Sequence, residues 1–184
     1  MSTALLMVDI QNDYFPGGSM ELVSMQSAAE SAAGVLEGFR KRGRPVYHVQ
    51  HLSIRPGATF FVPGTEGVKI HSSVAPGENE PIIQKNFPNS FRGTDLLERL
   101  RGDGIEQLVI CGAMSHMCID ATTRAAFDHG FGCSVVSDAC ATRDLVFGER
   151  LIAAADVHAA FMAALAVPYA SVVSAAEVDR GVGS

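Results

Sequence analysis

A chain of 184 residues is one domain's worth of sequence, expected to fold as a single unit over 1–184, and it is long enough to hold a core without disulfides or a structural metal. Hydrophobic residues make up 47% and charged residues 18%, against about 25% charged in soluble domains generally, which excludes disorder and favours a surface that self-associates. The 14 Lys+Arg against 20 Asp+Glu leave a net charge of −6, and the basic residues cluster only at Arg40-Lys41-Arg42 and Arg44, so a nucleic-acid partner, which needs a broad basic face, is not expected.

In chain order, Ala4–Ile10 reads as the first strand, a short apolar run that stops at Asp9 and is far too brief to span a membrane. Ser24–Arg42 carries Ala, Leu and Met at three- and four-residue steps and predicts a helix with one buried face. Pro45–Gln50 is the second strand. From His51 to Glu80 there is no periodicity, but Pro-Gly turns at 56–57, 63–64 and 76–77 flank Phe60-Phe61, which predicts an ordered flap rather than a linker. Strand Pro81–Gln84, helix Thr94–Arg101, strand Gln107–Cys111, helix Ile119–His129, strand Cys133–Ser137, helix Gly148–Leu165 and strand Ala170–Val173 follow, with a loose tail at Gly181 to Ser184. Alternation of this kind predicts an α/β fold: a doubly wound parallel sheet with helices on both faces. With no secretory leader pattern and no close cysteine pair, a cytoplasmic protein with four free thiols, Cys111, Cys118, Cys133 and Cys140, is expected.

In open parallel sheets ligands bind beyond the carboxyl ends of the strands, so polar residues just after a strand come first. Asp9 ends the first strand, Lys85 ends the third, and Gly112 to Cys118 follow the fourth and run into a helix. A carboxylate closing an apolar strand needs a cation, and Lys85 has the complementary difficulty. The two alone are also what a structural ion pair at a sheet end would look like. Cys118 reads either as a small buried hydrophobe or, at a helix start, as a thiol whose thiolate is favoured and whose neighbouring N–H groups hold an oxyanion. Together they make a nucleophile, base and cation set.

Three separated segments carry a family resemblance: Leu-Met-Val-Asp9-Ile-Gln11-Asn12-Asp13-Tyr-Phe15, Gln84-Lys85-Asn-Phe-Pro-Asn-Ser90-Phe91-Arg-Gly93-Thr94-Asp95-Leu96, and Val-Ile-Cys-Gly112-Ala113-Met114-Ser115-His116-Met117-Cys118. In order and spacing, from about Ala4 to Val178, the chain resembles the isochorismatase-like cysteine hydrolases, a superfamily that includes nicotinamidase, N-carbamoylsarcosine amidohydrolase, ureidoacrylate amidohydrolase and streptothricin hydrolase. The resemblance implies a three-layer fold around a six-stranded parallel sheet and an Asp9–Lys85–Cys118 triad, with Cys118 attacking a carbonyl, Asp9 moving the proton and water resolving the acyl-enzyme. It also implies a cis peptide between Ala113 and Met114 that turns the Met114 N–H, with that of Cys118, toward the oxyanion. Cys118 itself argues against the vinyl-ether chemistry for which the superfamily is named.

One departure separates the chain from the metal-binding nicotinamidase branch. The Asp-x-His element expected after the second strand is replaced by Tyr47-His48-Val49-Gln50-His51-Leu52. His48, His51 and His71 offer a loosely spaced alternative metal set, but without a carboxylate partner the expectation is no metal and no cofactor. His48 reads as a packed strand residue. The leading reading is hydrolysis of a C–N bond in a small amide, lactam or ureido substrate, closer to streptothricin hydrolase and the general amidohydrolases. A nicotinamidase with an atypical metal set, and a binding or redox-sensing protein using Cys118, stay open as rivals. Pocket candidates are Gln11, Phe15, His51, Phe60, Phe61, Phe91 and His116, with Phe87 as a further apolar wall. The low charge and the alanine-rich helix suit a homodimer or homotetramer.

Overall fold

The computed structural model describes residues 2–180; the expected tail at Gly181 to Ser184 lies outside the described residues. The strands are β1 (Ser2–Val8), β2 (Val46–His51), β3 (Ile82–Lys85), β4 (Ile105–Ala113), β5 (Gly132–Ala141), β6 (Leu145–Phe147), β7 (Arg150–Ile152) and β8 (Ser171–Val173). Six form one parallel sheet in the order β3-β2-β1-β4-β5-β8, and β6 and β7 form a separate antiparallel hairpin. The helices are α1 (Met25–Lys41), α2 (Leu96–Gly102), α3 (Asp120–Asp128), α4 (Ala154–Leu165) and α5 (Ala175–Asp179).

Helices on both faces explain why the central strands are apolar throughout rather than alternating. In β1, Leu5 and Met7 point to the core shared with α1 and α5, while Ala4, Leu6 and Val8 point to the core shared with α2, α3 and α4. On α1, Met25, Ala28, Ala29, Ala32, Val35, Leu36 and Phe39 are buried at helical spacing. Full burial of a side chain such as Leu5 or Leu36 stabilises the fold by about 1.5–3 kcal/mol. Gly43, at φ +61, ends the helix in the left-handed conformation that a C-terminal stop favours.

The helix expected from Gly148 to Leu165 is corrected by the structure. Its first part is the β6–β7 hairpin, with Phe147 paired to Arg150 and Gly148 turning at φ +61. Val146, Phe147 and Leu151 are strand formers, and strong helix formers begin only with the alanines from Ala153. There Asp144 Oδ1 accepts the N–H of Ala154 at 2.7 Å, fixing the start of α4. The segment from His51 to Glu80 is ordered against the residues that follow β1. Asn12 N–H donates to Lys69 C=O, Asp13 N–H to Gly67 C=O and His71 N–H to Ile10 C=O. All four cysteines are buried free thiols. Among the described residues no helix is long and apolar enough to cross a membrane.

Candidate active site

The strand order places a topological switch between β1 and β4, because the chain leaves β1 toward β2 and β3 and then returns to pair β4 on the other side. Pairing of Val8 with Gly112 sets Asp9 beside the turn that follows β4. Only glycine fits at 112: its φ is +128, and an added Cβ would lie 1.9 Å from the Val8 carbonyl oxygen. Asp9 itself sits at φ +54, a left-handed conformation that costs a side-chain-bearing residue about 1 kcal/mol or more and that Asp tolerates better than most.

Over this switch stands a buried polar centre. Lys85 Nζ lies 2.6 Å from Asp9 Oδ2, 3.0 Å from His51 Nδ1 and 3.2 Å from Cys118 Sγ. An ammonium has three hydrogens and here meets three acceptors. Asp9 is 0% exposed, Lys85 1% and Cys118 4%. Burial opposes the Lys85 charge, but the Asp9 carboxylate and the hydrogen bonds that Asp9 and Cys118 accept outweigh it and hold the ammonium above its usual range. Burial, then Lys85, pushes His51 down to about 4, so its ring is neutral. Among the described residues Asp9 Oδ1 is buried without a hydrogen-bond partner, a costly state for a carboxylate oxygen.

The expectation that Cys118 favours its thiolate is overturned at rest. Burial first, and the Asp9 carboxylate second, push the thiol up, and Lys85 only partly offsets them. The reason is local: Cys118 lies in a wide π-helical turn, Ser115–Ile119, ahead of α3 rather than at an open helix end. Ile119 N–H bonds to Met114 C=O at 3.2 Å, and the Ala113–Met114 peptide is cis. The turn is braced from behind, with Ser115 Oγ 2.8 Å from His158 Nδ1 on α4.

Cys118 opens into a cavity of about 480 Å³, within the range of small-molecule sites. Of the expected pocket residues, His51 and Phe60 line it, as does Phe87. The others lie elsewhere. Phe61, within the flap itself, is fully buried, its ring 4.5 Å from that of Tyr14. Phe15 stacks on His71 at 3.6 Å in the core. Phe91 packs against His129 and Phe131 in the core that also contains Cys118, but outside the cavity lining. Gln11 is buried behind His51, bonded to its backbone. His116 bonds Thr142 Oγ1 through Nδ1 at 2.6 Å and meets Phe161, outside the lining.

Sequence reasoning missed Tyr14, Ser53, Ile54, Arg55, Asn86, Pro88 and Met117 as lining residues, and named Met114 only for its N–H. A signal existed: Ser53 to Arg55 and Asn86 to Pro88 follow directly on β2 and β3, where the strand-end rule that found Asp9 and Lys85 applies equally. Burial holds the Tyr14 phenol well above its usual range, so it stays a hydrogen-bond donor. Among the described residues the close set of possible metal donors is Asp9, His51 and Cys118, within 4.8 Å of one another, and the Lys85 ammonium is in contact with all three. His48 instead faces Glu80 at 2.8 Å, and His71 faces Phe15, so the three histidines considered as a ligand set are not brought together.

Known proteins share this arrangement of sequence and fold. A model of the isochorismatase domain matches residues 3–177. The isochorismatase family protein YddQ of Bacillus subtilis is 55% identical over 94% of this chain and 96% of its own. The crystal structure of a proposed isochorismatase hydrolase from Oleispira antarctica superposes with a TM-score of 0.94 at 52% identity, covering 98% of this chain and 97% of that one. A streptothricin hydrolase of Streptomyces noursei is 34% identical over 77% of this chain and 50% of its own.

Proposed function

The chain belongs to the isochorismatase family, and from that membership we propose that it is a cysteine hydrolase cleaving the C–N bond of a small amide, lactam or ureido compound through a thioester on Cys118. The observation that carries this reading is the Lys85 ammonium seated between the Asp9 carboxylate and the Cys118 sulfur, with Asp9 Oδ1 left unpartnered. In the proposed course the Asp9 carboxylate takes the thiol proton, and Lys85 compensates the charge while sulfur bonds to the substrate carbonyl carbon. The backbone N–H groups of Met114, ahead of the turn, and of Cys118, within it, receive the oxyanion. Collapse breaks the C–N bond, and Asp9 returns its proton to the departing nitrogen. Water then enters, loses a proton to Asp9, attacks the thioester and releases the acid, and the proton goes back to sulfur.

A protonated resting thiol suits this course, because the acceptor is already in place and the nucleophile is generated only beside its base. It disfavours the redox-sensing rival, which needs a standing, accessible thiolate. Similarity to a streptothricin hydrolase supports hydrolysis of a small molecule. The cavity's Ile54, Phe60, Phe87 and Pro88 suit a substrate with an apolar body. The test is intact-mass spectrometry after incubation with a pool of small amides, ureas and lactams, nicotinamide included, with product assays on the same pool. An adduct or product with wild type and neither with Cys118→Ala is expected. A pool that yields no product and no adduct would sink the proposal.

A further inference from the structure

We infer that His51 is a positioning residue of this site: its Nδ1 holds one hydrogen of the Lys85 ammonium and thereby aims the other two at Asp9 and Cys118. The inference rests on the reading of Asp9, Lys85 and Cys118 as the reacting set. It begins from sheet geometry. Lys85 ends β3 and Asp9 follows β1, with β2 between them, so the lysine and aspartate side chains together span two inter-strand gaps of about 4.8 Å each, and the lysine must pass over β2 to meet its carboxylate. The residue paired with Lys85 in register on the strand it must cross is His51. Four rotatable bonds would otherwise let the ammonium wander over that span. The 3.0 Å contact to Nδ1 closes the third of its three hydrogen bonds.

A guide is useful only if it is itself fixed, and His51 is fixed by Gln11. The Gln11 side chain accepts the His51 N–H through Oε1 at 2.8 Å, donates Nε2 to the His51 carbonyl at 3.0 Å and donates to the Val68 carbonyl at 2.7 Å. Gln11 is fully buried. The groups that face the imidazole electrostatically are Lys85, Asp9 and Arg55, and the Cys118 sulfur lies within 4.8 Å of a ring nitrogen. Two cations outnumber one carboxylate, and the ring is mostly desolvated, so it stays neutral. With Nδ1 accepting from Lys85, its proton resides on Nε2. The ring therefore serves as an acceptor for the ammonium and not as the base that deprotonates the thiol.

The test reads the thiol directly and needs no turnover, so a failure of the hydrolase reading leaves it interpretable. Cys118 alkylation by iodoacetamide is followed against pH by intact mass, with Cys118→Ala as the blank. His51→Leu removes the acceptor and is expected to slow alkylation at neutral pH about tenfold or more and displace the profile to higher pH, because a loosened ammonium stabilises the thiolate less. His51→Asn, whose carbonyl oxygen accepts in place of Nδ1, is expected within about threefold of wild type. An unchanged profile in His51→Leu, or equal impairment in both variants, would overturn the proposal in favour of simple packing. If His51→Leu does not fold, 15N-histidine NMR of wild type, with the His51 signals assigned through His51→Asn, decides it. Protonation on Nε2 at neutral pH supports the proposal and protonation on Nδ1 overturns it.

Discussion

Strand β3 begins at one cluster of carboxylate, cation and imidazole and ends at another. Before its start, Glu80 accepts from Arg40 Nε at 2.7 Å through Oε1, and from Arg40 Nη2, the Gly77 N–H and His48 through Oε2. At its end, Asp9, Lys85 and His51 make the same three kinds of group, with a thiol added and one carboxylate oxygen unpartnered. Glu80, bonded first by Arg40, is held down to about 2. Every acceptor there is satisfied, and the cluster ties α1 to the end of the flap. The comparison teaches that composition does not mark a reactive site; an unfilled hydrogen-bonding position at a buried charge does.

Substitutions should separate the two clusters. Lys85→Met leaves the Asp9 carboxylate unpaired in the interior, so complete loss of turnover is expected, with destabilisation of about 3–5 kcal/mol by chemical denaturation. Asp9→Asn removes the proton acceptor and should lower hydrolysis of any substrate found in the amide and lactam pool by about 10²–10⁴-fold. A turnover number near wild type would refute its role. Glu80→Gln should cost about 1.5–3 kcal/mol in the same denaturation assay and leave turnover within a few-fold. If turnover collapses instead, the two clusters are coupled and the distinction fails.

The smallest effect is in the pH dependence of melting. Both clusters lose stability in acid, through their histidines in an upper window and through Glu80 in a lower one. A histidine held below 6.5 resists protonation while the unfolded chain accepts it, so His51 costs stability as pH falls from 6.5 toward about 4. Glu80 contributes above 4.5, and its contribution is lost as pH falls toward about 2. His51→Asn should flatten the upper window by several degrees, reducing rather than abolishing it because burial also lowers His48, His71, His116 and His158. Glu80→Gln should flatten the lower window and, by removing the carboxylate that raises His48, steepen rather than flatten the upper one. Melting curves from pH 7 to 2 check both signs.

Much of this centre was legible because each of its residues breaks a pattern: Asp9 and Lys85 are charges closing apolar strands, and Cys118 follows a turn that opens on Gly112 and leads into a helix. The sheet was legible for the same reason, since buried parallel strands are uniform runs with abrupt ends. The hairpin was not, because strands of three residues are shorter than any period that could identify them. The aromatic residues were half legible. Phe60 and Phe61 are neighbours, yet one lines the cavity and the other is wholly buried, because Phe61 turns at φ +54 and its N–H donates to Asp13 Oδ2 at 2.6 Å. No local sequence pattern states that anchor.

Asp13 has a consequence for how such a site can diversify. Its carboxylate occupies the space a side chain at Gly67 would need, 2.1 Å from the position of an added Cβ, and receives the N–H groups of Ser19 and Phe61. With Gln11 holding Val68, the segment following Asp9 is a socket into which the flap plugs by main-chain contacts. A socket that reads backbone and one glycine is indifferent to most of what the flap displays. Ser53, Ile54, Arg55 and Phe60, all cavity-lining, are therefore free to be exchanged as a cassette, and a graft that keeps Gly67 should change what is recognised while leaving the reacting groups where they are.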